Sequence, residues 1–465
     1  MTTDDIAFAD IATLQRLLTK RTLSSLELTD LYLARLDTYG PSYNAIVTVM
    51  HARARAEAKR ADRERAAGKV RGPLHGIPYG VKDLLAAKGA PTTWGAQPYR
   101  EQVFDHDATV VKRLGDAGAV LLGKLAMVEL AGGFGYNNAD ASFTGPGRTP
   151  WNRNFWSGGS SSGSAACTAA GLVPFALGSE TSGSILFPST SCGVTGLRPT
   201  YGRVSRHGAM ALCWTLDKLG PLTRSARDAD IVLRAIAGRD PQDPTSVERP
   251  FATLRRRPRI GVVAKATQKT MPAVTANFER SLAVLATFCD IVPDVAMPDL
   301  PYGTAVGAIV NGEGASAFRH LIESGRSREL RAVADRTGGY VAYATLAVDY
   351  LDAMRQRVFM IAGLERAFGP YDAIAAPTLS TVAYPIGVDF DKVYPNYPGV
   401  VDLISAGNAT GLPAIGLPNG FGVHGLPSGL SFLGGPFAEA KLTQIASGYQ
   451  TRTDWHLRRP KLVAS

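Results

Sequence analysis

The sequence predicts an α/β fold, a sheet layered by helices, and three observations carry that expectation. Short apolar runs such as Ile77–Val81 and Ala119–Leu122 alternate with helical stretches such as Thr109–Ala117, so strands and helices take turns along the chain. Between Trp156 and Gly202 the chain is dense in glycine and serine. Leu172, Val173, Phe175 and Leu177 interrupt that stretch, which makes it a compact loop layer inside a domain rather than a linker. Finally, 465 residues, 45% of them hydrophobic and 19% charged, suffice to bury a large core in one big domain or two medium ones.

Phe8, Ile11, Leu14, Leu17 and Leu18 recur at helical spacing, and a second helix starts after Ser24, where Ser24 and Glu27 have the form of a capping box. Residues 1–70 therefore form a helical arm packed on the rest of the chain, and residues 71–465 form the main domain. Residues 236–300 hold a passage rich in proline and arginine, the strand RIGVVAKA, and a helix from about Pro272 to Phe288. Residues 304–368 are mostly helical. They carry Phe318, Tyr340, Tyr343, Tyr350, Met354 and Phe359, a set that either joins the core or covers a pocket for aryl or alkyl groups. The last hundred residues return to short strands (AIAAPTL, AIGLPNG, GLSFLGG) before a closing helix near Ala438–Gln450. A boundary near residue 240 fits this pattern, and so does a return of the late strands to the first sheet. No internal repeat is present.

The formal charge of +10 raises the question of a nucleic-acid partner. The basic residues are scattered except at 53–69 and 255–259, and acidic residues interrupt the first of these stretches, so it reads as a solvated helix face. Cys167, Cys192, Cys213 and Cys289 form no CxxC pair, so neither a metal site nor a disulfide framework is expected. The N-terminus lacks a basic segment followed by an apolar run, and no apolar stretch is long enough to span a bilayer. The expectation is a cytoplasmic protein without cofactor, monomeric or homodimeric.

Two familiar motifs occur and fail on context. GAVLLGKL, residues 118–125, has phosphate-loop spacing, but Leu125 stands where a hydroxyl should meet Mg²⁺. GSSSG, residues 159–163, matches a nucleophile elbow centred on Ser161, but polar, turn-like residues precede it where a strand is required. His207, His320, His424 and His456 are available to such a Ser–His–Asp site, which stays open as an alternative.

A stronger constellation has three parts. In GPLHGIPYGVKDLL, Lys82 ends an apolar strand, so its stem starts in the interior. Burial lowers a lysine pKa by up to ~3–5 units, which yields a neutral amine fit to act as a base. WSGGSSSGSAA, residues 156–166, lines a flexible loop with hydroxyls. GSETSGSILFPS, residues 178–189, aims the backbone N–H groups of Thr181, Ser182, Gly183 and Ser184 at one spot, an anion hole for a tetrahedral intermediate.

These segments resemble the signature of the amidase signature family. The resemblance runs from Gly158 to Ser205, and takes in GIPYGVKDLL, DATVVKRLGDAGAVLLGKLAMVEL, NATGLPAIGLPNGF and GLPSGLSFLGGPF, about residues 20–456 in all. It implies one α/β domain with a mixed, mainly parallel sheet covered by helices. It implies Ser184 as acyl nucleophile, Ser160 on a cis Gly159–Ser160 bond as proton relay, Lys82 as base, and Ser161 in support. The chain departs from the family pattern at Glu180, Ser182 and Leu186, where many members carry Asp, Gly and Arg. The missing arginine speaks against close kinship with the tRNA-dependent glutamine amidotransferase subunits and leaves that side of the site less positive. The expected reaction is hydrolysis of a neutral, hydrophobic amide, with anilides, esters and carbamates (urethanes) also open to acyl attack. A binding module without the reaction and a glutamine-hydrolysing subunit are the rivals.

Overall fold

The apolar runs become strands buried on both faces. In the computed structural model, which describes residues 1–464, they join one sheet. In chain order the strands are β1 Ile46–Val49, β2 Pro78–Lys82, β3 Val120–Leu125, β4 Phe175–Glu180, β5 Thr195–Arg198 and β6 Lys218–Thr223. They continue with β7 Arg259–Val263, β8 Asp290–Val295, β9 Ala373–Pro377, β10 Ala414–Phe421 and β11 Pro427–Leu433. Across the sheet they lie in the order β1-β3-β2-β4-β6-β5-β10-β11-β9-β7-β8. β2, β3 and β4 are buried along their whole lengths, which explains their nearly continuous apolar character.

The sheet is mixed, as expected, but parallel pairing does not dominate. Among the described residues six pairings are antiparallel and four are parallel, the latter joining β2 to β3 and β4, and β7 to β8 and β9. Parallel neighbours need a crossover, whereas β10 and β11 turn back within five residues. β10 pairs with β5 through Ala414 and Arg198, so the late strands rejoin the first sheet and no boundary falls near residue 240.

The helix Ser25–Tyr39 starts on the expected capping box, with the Glu27 N–H donating to Ser24 and the Ser24 N–H to Glu27. The first 70 residues also supply β1, an edge strand antiparallel to β3. Residues 304–368 lie in the helices Tyr302–Ala317, Arg319–Glu323, Val333–Ala342 and Ala347–Phe368 with short links between. No helix among the described residues is long and apolar enough to cross a membrane.

Candidate active site

β2 ends on Lys82, and its pleat sends successive side chains to opposite faces. Asp83 pairs with Lys124 at 2.8 Å, so the two neighbours serve different clusters. Lys82 is wholly buried, and its Nζ donates to Ser160 Oγ at 2.7 Å and to Ser179 Oγ at 2.9 Å. Among the described residues no carboxylate touches it. Burial lowers its pKa to about 7, against the more distant charges of Asp217 and Glu180. Lys218, at the start of β6, is lowered to about 7 by burial as well, but its Nζ is spent on the Leu216 carbonyl. Contact with two hydroxyls, not the pKa alone, singles out Lys82.

Ser160 follows a cis Gly159–Ser160 bond, and its carbonyl accepts from the Val128 N–H at 3.1 Å. A Cβ on Gly159 would stand 2.7 Å from both Trp156 and Val128, so this approach requires glycine. Ser161 is completely buried. Its Oγ donates to the Ser179 carbonyl at 3.1 Å and accepts from the Ser179 N–H at 3.3 Å. That hydroxyl is locked onto β4, and no strand precedes it, which corrects the elbow alternative centred on Ser161.

β4 leads into the turn Thr181–Ser184, where Gly183 has φ +88°. The carboxylate of Glu180 holds this turn. Its Oε2 accepts from the N–H groups of Ile185 at 2.8 Å and Leu186 at 3.0 Å, while Oε1 meets Arg198 and Asn408, each at 2.8 Å. Burial alone would raise its pKa, but Arg198, Asn408 and the Leu186 N–H keep it below the ordinary carboxylate value. The N–H groups of Ser182, Gly183 and Ser184 have no acceptor among the described residues. The Ser161 N–H donates to the Ser184 carbonyl at 3.2 Å, which joins the two serine loops. The Ser184 hydroxyl has no hydrogen-bond partner among the described residues.

Ser182, Gly183 and Ser184 line a cavity of about 470 Å³. Its wall is aromatic: Tyr136, Trp156, Phe187, Tyr384 and Phe390. Trp156 stacks on Phe390 at 5.0 Å between ring centroids and tilts against Phe187 at 5.4 Å. Asp402 is the one charged residue lining the cavity among the described residues, and it also caps the helix Leu403–Thr410 through the Ser405 N–H. The aromatic set of residues 304–368, open to core or pocket from the sequence, does not form this wall. Phe318 is core, Tyr350 donates to Glu313, Tyr340, Tyr343 and Phe359 are exposed, and only Val310 of that segment reaches the cavity.

Sequence reading missed Ser179 and Asp217. Ser179 lies inside the segment GSETSGSILFPS, just ahead of the residues Thr181–Ser184 to which the sequence assigned a role. The Asp217 carboxylate accepts from Thr181 Oγ1 at 2.6 Å and from the Leu212 and Cys213 N–H groups at 2.9 Å, and it lies 33 positions beyond Ser184 with no local signal. Burial raises its pKa against those hydrogen bonds.

The amidase family model matches residues 27–443. The A-type subunit of the glutamyl-tRNA(Gln) amidotransferase of Roseiflexus castenholzii (strain DSM 13941 / HLO8) is 38% identical, over 97% of each chain. The native peptide amidase of Stenotrophomonas maltophilia superposes with a TM-score of 0.86 at 32% identity, covering 97% of this chain and 98% of that one. The A-type subunit of the glutamyl-tRNA(Gln) amidotransferase of Thermotoga maritima superposes with a TM-score of 0.82 at 29% identity, covering 99% of each chain. The chain belongs to the amidase family and is an amidase-type enzyme.

Proposed function

From that membership, we propose that the enzyme hydrolyses a neutral amide with a hydrophobic acyl group, through an acyl-enzyme on Ser184. Neutral Lys82 takes the proton of Ser160, and Ser160 takes that of Ser184 as Ser184 Oγ bonds to the carbonyl carbon. The N–H groups of Thr181, Ser182, Gly183 and Ser184 hold the oxyanion. The C–N bond then breaks as the relay returns a proton to the nitrogen. Water attacks the ester along the same relay, and the Ser184–acyl bond breaks to release the acid. The observation that carries this reading is the buried Lys82 amine on two hydroxyls, without a contacting carboxylate to keep it charged. The aromatic wall and the absence of a basic residue among the described cavity lining support an uncharged, apolar acyl group. Anilides, esters and carbamates fit the same chemistry.

The second reading is a glutamine-hydrolysing amidotransferase subunit, favoured by the 38% identity to such a subunit. A glutamine α-carboxylate would find no cation in the lining, and Leu186 is buried with its N–H on Glu180. Assay of the purified chain on a hydrophobic aryl-acyl amide and on glutamine separates the two. Turnover of the first without any other subunit supports hydrolysis, while glutaminase activity alone supports the second reading.

A further inference from the structure

A second cavity, of about 350 Å³, adjoins the first. The two share Ala131, Thr181 and Leu212, and the second is floored by Ser179, the other hydroxyl on Lys82. Its walls are largely apolar: Leu84, Ala209, Met210, Ala211, Trp214 and Leu219. The charged groups around it are already engaged. Asp217 is held by Thr181 and two backbone N–H groups, and Asp243 accepts from the Arg206 N–H at 2.8 Å. The Arg206 guanidinium donates to the Trp214 carbonyl and to Thr245, and His207 packs on His106 with centroids 5.9 Å apart.

The two halves of a planar amide leave the carbonyl carbon in different directions. With the carbonyl at the Thr181–Ser184 turn and the acyl half against the aromatic wall, the nitrogen half is directed to the Lys82–Ser179 side. There the relay must deliver a proton to it. We propose that this second cavity is the leaving-group chamber, and that it takes an uncharged aryl or alkyl amine. The proposal rests on the hydrolase reading above. In the acylation step the Ser184 Oγ–carbonyl bond forms, the C–N bond breaks, and the proton from Ser184 ends on the departing amine by way of Ser160. The amine then leaves, and water takes its place beside Ser160 to attack the ester.

The test uses two substrates that share one aryl-acyl group, a primary amide and a 4-nitroanilide. Ala211→Trp fills the chamber. It should lower kcat/KM on the anilide by about tenfold or more, within the range by which apolar pockets discriminate, and leave the primary amide unchanged. Trp214 is 46% exposed, so Trp214→Ala keeps the fold and should also weaken the anilide selectively. Within each of the three proteins, deacylation followed by single-turnover kinetics should be the same from both substrates, because the acyl-enzyme is common to them. Equal losses of kcat/KM on both substrates would overturn the chamber. Failure of the wild type to form an acyl-enzyme with either substrate would instead remove the hydrolase reading, and the chamber with it.

Discussion

The Ser161 N–H donates to the Ser184 carbonyl at 3.2 Å, so the loop that bears the proposed relay serine is bonded to the turn that bears the proposed nucleophile. Ser161 is also fixed to β4 through both hydrogen bonds of its hydroxyl with Ser179. Since Ser179 meets Lys82, one short stretch of β4 sets the positions of Lys82, Ser160 and Ser184 together.

Ser184→Ala should lower turnover by about three orders of magnitude or more, because members of a catalytic unit fail together. It should also abolish labelling by a fluorophosphonate probe, with the thermal unfolding profile unchanged. Labelling that survives the substitution would place the nucleophile elsewhere.

Ser161→Ala should retain most turnover. Its hydroxyl bridges the backbone of Ser179 and carries no proton in the proposed relay. The substitution should cost stability of about 1–3 kcal/mol by leaving buried groups unpaired, measured as a shift in denaturant midpoint at constant m-value. A variant that is stable but inactive would revive the elbow.

Glu180→Gln should destabilise the protein by up to about 3–5 kcal/mol, because Arg198 loses its buried anion. Turnover should fall in the fraction that folds, since the N–H groups of Ile185 and Leu186 lose a charged acceptor directly after Ser184. Full activity with unchanged stability would show that Glu180 does not hold the turn.

Lys82 also links stability to pH. Its folded pKa, about 7, lies below the ordinary lysine value of 10.5, so between those values the unfolded chain binds a proton that the folded chain does not. Folding is therefore penalised most below pH 7, and the penalty fades as pH rises to 10.5. Relative to Lys82→Met, the wild type should gain stability across this window, at up to about 1.4 kcal/mol per pH unit. A constant difference between the two proteins over the window would mean that Lys82 is charged in the folded state.

Much of this site was legible because its chemistry is local. The GVKD strand end, the GGSSS loop and the GSETSGS turn each put special residues within a few positions of one another, and Ser24 with Glu27 marked a helix start in the same way. What escaped is held by distance. Tyr384 and Phe390 reach the cavity wall from about 200 positions beyond Ser184. β6 carries Gly220-Pro221, which reads as a turn, and β8 carries Pro293 with two aspartates, so pairing in the sheet overrides local preference there. The four-residue β1 is too short to show a period. The aromatics of residues 304–368 stayed open between core and pocket, because helical spacing does not say which face meets a cavity.

The central claim is that Lys82 rests as a neutral amine beside Ser160. Its direct test is an NMR titration of ¹³Cε-labelled lysines, with the Lys82 signal assigned by its loss in Lys82→Met. The midpoint should lie near 7, matched by a rise through about pH 7 in the rate of Ser184 acylation. A midpoint near the ordinary lysine value, with acylation still efficient at neutral pH, would contradict it.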